Sequence, residues 1–171
     1  VYVTNDQTEA MTMSTRVVVM NNGTIEQVSS PQKLYRHPKT TFVADFIGMP
    51  RINLIKLTSE ITNSTRYCNG DISMNLGWSP GVSEIIVGAR PEDIILSGDK
   101  DALGEQYKIT AILPNGPETI VQLVRGNTAI LARVGHDTAF KASDSVFLDY
   151  AVNAINIYDT QTNSLIPHKG S

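Results

Sequence analysis

The chain has 171 residues, 41% of them hydrophobic, enough for one domain or for a small domain beside part of another. Its 14 basic and 17 acidic residues give a formal net charge of -3, and no basic run interrupts their mixture, so a nucleic-acid backbone is not an expected partner. The longest apolar runs, such as Val17-Val18-Val19-Met20, are far too short to span a bilayer, and a single cysteine, Cys68, excludes an internal disulfide.

In chain order, Val1-Tyr2-Val3 reads as the end of a buried strand. Thr4 with Gln7, or Asp6 with Glu9, gives a capping-box start for a helix running through Ala10 and Met13. Two apolar runs at 16–20 and 24–28 flank Asn21-Asn22-Gly23, and Asn-Gly supplies the positive φ angles of a two-residue hairpin turn. Ser30-Pro31 opens a second helix that Pro38 stops. Thr40 or Thr41 caps a third, whose Phe42, Val43, Phe46 and Ile47 recur at helical spacing and are expected in the core, with Gly48 and Pro50 ending it.

Beyond this point the helical period disappears. Strands are expected at 53–61, 66–69, 72–76, 84–89, 93–96, 107–113, 119–123, 128–134, 145–150 and 154–158, and their even spacing suits a small barrel or a sandwich. The expectation is therefore a mainly β protein with an α/β segment in front: residues 1–50, then 51–171, with the boundary near Gly48 to Arg51.

Chemical motifs are sparse. A phosphate-binding loop needs a Gly-Lys-[Ser/Thr] ending, and no Gly-Lys dipeptide occurs. The acidic strand end that would hold Mg²⁺ is absent as well. Leu96-Ser97-Gly98-Asp99-Lys100 reads as an ordinary turn. His37, His136, His168 and Cys68 lack metal-ligand spacing, so no metal site is expected. Two glycosylation sequons, at Asn22 and Asn63, have no consequence without a secretory signal. Trp78 reads as a core or loop anchor rather than a stacking platform. Pro91 fixes the backbone between Arg90 and Glu92. Arg90 can then buttress the fold by pairing with a carboxylate, or face a partner or an anionic ligand, and the structural role is preferred because surface Arg–Glu pairs bind weakly. Asn115-Gly116-Pro117-Glu118 is a tight turn that presents Glu118 as a further candidate contact.

Taken together, Thr4-Asn5-Asp6-Gln7-Thr8-Glu9-Ala10, Gly23-Thr24-Ile25-Glu26-Gln27, Leu34-Tyr35, Phe42-Val43-Ala44, Phe46-Ile47-Gly48, Asn53 and Gly88-Ala89-Arg90-Pro91-Glu92 resemble the C-terminal part of the ATP-binding subunit of bacterial ABC importers of sugars and glycerol phosphate. Leu113, Gly116, Glu118-Thr119, Ala132-Arg133-Val134 and Ile157-Tyr158-Asp159 continue the match. The resemblance implies the end of a nucleotide-binding domain followed by an OB-type regulatory and dimerising barrel. It also implies ATP and Mg²⁺ as cofactors of the intact subunit, but none for this chain alone. Implied partners are a second ATPase subunit, the transporter's membrane subunits and a small-molecule or protein regulator, at the cytoplasmic face of the cell membrane. Asn5 stands where that family carries a switch histidine, and an amide cannot carry the positive charge of an imidazolium, so an impaired ATPase is implied. Ser143-Asp144 and Asn163-Ser164 depart from the family's glycine-containing turns, which puts turn geometry at risk. The chain begins with Val rather than Met, which fits a fragment or trimmed chain, predicted inactive in ATP hydrolysis by itself. The alternative reading is a free-standing, non-enzymatic barrel that regulates or binds a small ligand.

Overall fold

The computed structural model describes residues 1–61, 63–98, 105–150 and 152–168. The first helix, α1, spans Gln7–Met13 and is capped by Asp6, whose carboxylate accepts from the backbone N–H groups of Thr8 and Glu9 at 2.8 and 3.1 Å. Thr4 and Gln7 do not form the cap: the Thr4 hydroxyl donates to Glu9, and Gln7 turns elsewhere. The expected strand at Val1-Tyr2-Val3 is not formed. These residues are irregular and exposed, because nothing in the chain offers them a neighbouring strand to pair with.

The hairpin forms as expected. β1, Val17–Asn21, pairs antiparallel with β2, Thr24–Ser29, across Asn22 and Gly23, whose φ angles of 47° and 79° are those of a type I′ turn. Helices α2, Pro31–Arg36, and α3, Thr41–Phe46, pack on it. Gln27 is buried and locks the hairpin to the link between them: its Oε1 accepts from the Lys39 N–H at 2.8 Å and its Nε2 donates to the His37 carbonyl at 3.3 Å. Val19, Leu34, Val43 and Ile47 form a small core of their own.

The rest is built from two five-stranded antiparallel sheets. The first contains β3, Asn53–Thr58, β4, Arg66–Cys68, β5, Ser73–Asn75, β6, Glu84–Ala89, and, entering last, β12, Asn156–Asp159, in the order β12-β6-β3-β4-β5. The second is made of β7, Ile94–Ser97, β8, Glu105–Asn115, β9, Glu118–Arg125, β10, Thr128–Gly135, and β11, Ser145–Tyr150, in the order β10-β9-β8-β11-β7. Among the described residues the ladders do not close into one continuous barrel; the sheets meet face to face over a single core that includes Leu57, Tyr67, Ile85, Val87, Ile109, Leu123 and Val146. The chain is mainly β, as the sequence predicts.

For the strands expected beyond residue 50, differences from the sequence expectations are confined to their ends. The strand expected over 53–61 stops at Thr58, and the one expected over 107–113 runs longer, from Glu105 to Asn115, tolerating Pro114 near its tip. The strand expected from 154 starts at Asn156 after a short 3₁₀ turn, and another 3₁₀ turn, Pro91–Asp93, precedes β7. Asp99 and Lys100, the end of the turn expected over 96–100, lie outside the described residues. Trp78 packs against the main core with its ring edge-to-face on His168, an anchor rather than an open platform.

Asn163 sits at φ 56° and Ser143 at φ 76°, so both departures from glycine occupy the left-handed region. Asparagine tolerates that region and serine less so. Ser143→Gly is accordingly expected to stabilise the chain by about 0.5–1 kcal/mol in urea unfolding.

Candidate functional site

The residues singled out by sequence fall into two places. Asn5 lies exposed on the loop leading into α1. Arg90, Pro91 and Glu92 lie at the opposite side of the 46–48 turn, where the N-terminal segment meets the two sheets. Glu118 joins the second group, Gly88 packs behind it, and Gly116, at φ 62°, only shapes the turn that precedes Glu118.

Arg90 is only 1% exposed. β6 delivers it to the seam, and the Pro91 turn carries the chain away at once. Its guanidinium does not pair with a carboxylate, as the buttress reading had it. It donates instead to the carbonyls of Ile47, Ala44 and Tyr35 at 2.6, 3.3 and 3.0 Å. These oxygens belong to the last turns of α3 and α2, the carbonyls that a helix leaves unpaired and partially negative. The Tyr35 ring lies beneath the guanidinium at 4.1 Å, a cation–π contact. Burial lowers the pKa of Arg90, but its ordinary value is so high that it remains charged. Gly48, at φ 110°, leaves no alternative residue at this spot: a Cβ there would lie 2.9 Å from an Arg90 nitrogen and 3.1 Å from the Tyr35 ring.

Gly88 has a similar cause. A Cβ on it would meet the Tyr158 ring at 3.0 Å and Ile52 at 3.1 Å, both members of a third buried cluster, with Ala44 and Ile86, that joins α3 to the first sheet.

Glu92 is part of a polar bridge. It accepts from the Tyr35 hydroxyl and, at 2.6 Å, from Arg133 of β10, which also pairs with Glu118 at 3.1 Å. Beside it Asp93 accepts from Arg36 at 3.1 Å. Burial pushes the Glu92 carboxyl up, yet the bonds from Tyr35, from its own backbone and from Arg133 outweigh it and hold the pKa below the ordinary value. The Arg133 pKa is raised: burial opposes the charge, but the two carboxylates outweigh it. A depressed carboxylate contributes stability above its unfolded pKa, about 4.3, that is lost as pH falls through the lower folded value. In a pH series of urea unfolding, Glu92→Gln is therefore expected to flatten the acid limb below about pH 4.5. An unchanged limb would mean that the bridge exchanges freely with water.

No closely set group of His, Cys, Asp and Glu able to hold a metal ion occurs among the described residues. Around Asn5 the acidic neighbours are engaged: Asp6 caps α1 and Glu9 accepts from Thr4 and Tyr2. No helix among the described residues is long and apolar enough to cross a membrane.

Phe42 and Phe46, expected in the core, instead stack on one another at the surface, with centroids 5.9 Å apart. They occupy the row of α3 beside Val43 and Ile47, and only the latter row enters the small core with Val19 and Leu34. With Gln7, Asp45, Gly48, Met49 and Arg51 they line a shallow cavity of about 220 Å³. The sequence reading missed Gln7 as a contact residue, and Tyr35 as the floor beneath Arg90. Neither leaves a pattern in sequence, since each acts across dozens of intervening residues.

No protein-family model matches the chain. An ABC transporter ATP-binding protein of Bacillus subtilis, YurJ, itself uncharacterised, is 32% identical over 97% of this chain and 49% of its own length. The chain thus belongs, in the half it spans, with the ATP-binding subunits of ABC transporters. Its relatives include the sn-glycerol-3-phosphate import ATP-binding protein UgpC of Shigella boydii, 31% identical over 96% of this chain and 47% of that protein. UgpC of Rhizobium meliloti is 45% identical over 63% of the chain and 28% of that protein. The chain spans about half the length of the first two of these relatives. A solved structure of the molybdate-binding protein ModG aligns with a TM-score of 0.49 and 12% identity over 65% of this chain and 98% of that one.

Proposed function

We propose that this chain is the C-terminal part of an importer ATPase subunit. Residues 1–50 complete a nucleotide-binding domain whose main motifs lie in a preceding segment. Residues 51–171 form a regulatory domain that pairs with its counterpart in a second subunit, at the cytoplasmic face of the membrane, where the transporter's membrane subunits are engaged. The names of the relatives favour a glycerol phosphate or a sugar as cargo, with selection made by other subunits.

One observation carries the reading. The N-terminal segment exposes apolar side chains out of proportion to its size: Val18 at 48%, Met20 at 57%, Ile25 at 58% and Val28 at 43% on the hairpin, with Phe42, Phe46 and Met49 beyond it. A monomer rarely leaves such a surface wet, and a hairpin with open edges is a template for further pairing. A preceding domain would cover it. The free-standing barrel has no use for it.

The test is ATP turnover by the longer protein with Asn5 or with Asn5→His. A gain of about tenfold, or about 1.4 kcal/mol of barrier, supports an ATPase blunted at its switch position. Neither binding nor turnover in either form would leave the free-standing regulatory domain.

A further inference from the structure

The turn at 46–48 is held from both sides. From α1, the Gln7 amide bonds the backbone twice: its Nε2 donates to the Phe46 carbonyl and its Oε1 accepts from the Gly48 N–H at 3.0 Å. From the opposite side, Arg90 donates to the carbonyl of Ile47, the residue between them. An amide is the side chain that can do this, since it offers one donor and one acceptor in a plane, as a neighbouring strand would.

Packing alone does not fix α1, which has no buried residue; Met11 lies only partly buried against the hairpin core. The two Gln7 bonds therefore set where α1, and the Asn5 loop that opens it, sits relative to the rest of the molecule. The other end of the connection reaches the second sheet. Arg90 leads through Pro91 to Glu92, and Glu92 is bonded to Arg133 on β10 and to Tyr35 on α2. A shift of β10 against the first sheet is thus carried to the turn through one buried guanidinium, and from the turn to α1 through one amide.

We infer that Gln7 is a positioning residue: through the 46–48 turn and Arg90 it couples the placement of the Asn5 loop to the state of the regulatory sheets. This rests on the reading that Asn5 faces nucleotide in the longer protein. The coupling itself can be tested without nucleotide.

Amide hydrogen exchange on the 171-residue chain reads it directly. Gln7→Ala is expected to speed exchange at Gly48 and along α1 by about tenfold, with β8 to β10 unchanged. Arg90→Lys, at a residue that makes no hydrogen bond to α1 among the described residues, is expected to speed the same α1 amides, and the double variant to add little to the larger single effect. If Arg90→Lys loosens β8 to β10 as well, Glu92→Gln replaces it, with the same α1 amides read. Unchanged α1 exchange in Gln7→Ala, or in the variant at the sheet side, overturns the coupling. In the longer protein Gln7→Ala should lower kcat and leave KM for nucleotide in place. An unaltered kcat would remove the positioning role. A longer protein that shows no turnover with any residue at position 5 would sink the ATPase reading, while the exchange result still decides whether the coupling exists.

Discussion

Replacing Arg90 with methionine is expected to lower the unfolding free energy by about 3–5 kcal/mol, the scale seen when one member of a buried charged arrangement is removed. Methionine fills much of the volume but donates nothing. The carbonyls of Tyr35, Ala44 and Ile47 lose a charged donor at a seam where Arg90 itself is almost inaccessible to water. Hydrogen bonds to charged groups contribute about 1.5–3 kcal/mol, and stranded buried acceptors cost more than the bond alone. Arg90→Lys should fall between, because one ammonium cannot span carbonyls on two helices as a planar fork does. Urea unfolding followed by far-ultraviolet circular dichroism measures both. A loss below about 1 kcal/mol for methionine would mean that the seam opens enough for water to replace the guanidinium.

Asn53→Ala is the second large effect, expected at about 2–4 kcal/mol. Asn53 is 8% exposed at the start of β3, and its side chain acts as a surrogate strand residue toward the second sheet. Its Nδ2 donates to the carbonyls of Leu131 at 2.9 Å and Ala89 at 3.1 Å, and its Oδ1 accepts from the Leu131 N–H at 2.7 Å. β10 is an edge strand, so those Leu131 groups have no further strand to bond. Alanine leaves them unpaired at a part-buried site, at about 1–3 kcal/mol for each unmade bond that water does not replace. Asn53→Asp keeps the acceptor but turns the donor into a second acceptor aimed at two carbonyls. Its destabilisation should ease as pH falls toward the aspartate pKa, whereas the loss in Asn53→Ala should not depend on pH. Parallel urea titrations at pH 7 and pH 4.5 separate the two.

The hairpin and all three helices were legible because their signals are local. Asn22-Gly23, Pro31 and Thr40 act on backbone within a few residues, and the structure uses each where the sequence puts it, whereas Ser30 stands at the N-cap position without a side-chain cap bond. The mainly β character of the remainder followed from spacing alone. What could not be read was which face of a segment meets the rest. Phe42 and Phe46 have the spacing of core residues, and only the geometry of α3 against the hairpin and the first sheet shows that Val43, Ala44 and Ile47 take the inside. Asn53, Gln7 and Tyr35 were illegible for another reason. Each bonds to backbone atoms or to side chains distant in sequence, and backbone carries no sequence signature. Arg90 was singled out by its Pro-fixed setting, but the nature of its partners, carbonyls of helix ends, lay beyond any motif.

Residues 163–165 come back to the first third of the chain. Leu165 N–H donates to the Lys39 carbonyl at 2.8 Å, Thr41 N–H to the Asn163 carbonyl at 3.0 Å, and Thr40 forms an isolated bridge with Ser164. β12, just before it, supplies Tyr158 to the cluster that fastens α3 to the first sheet. During synthesis from the N-terminus, the early hairpin and helices can therefore assemble first and dock through Ile52, Ile86 and Arg90, but the attachment is completed only when residues 156–165 have left the ribosome. Until then an apolar hairpin waits beside a half-made seam. A nascent chain stalled before β12 should be held in that state and engaged by chaperones, whereas emergence of residues 156–165 completes the attachment.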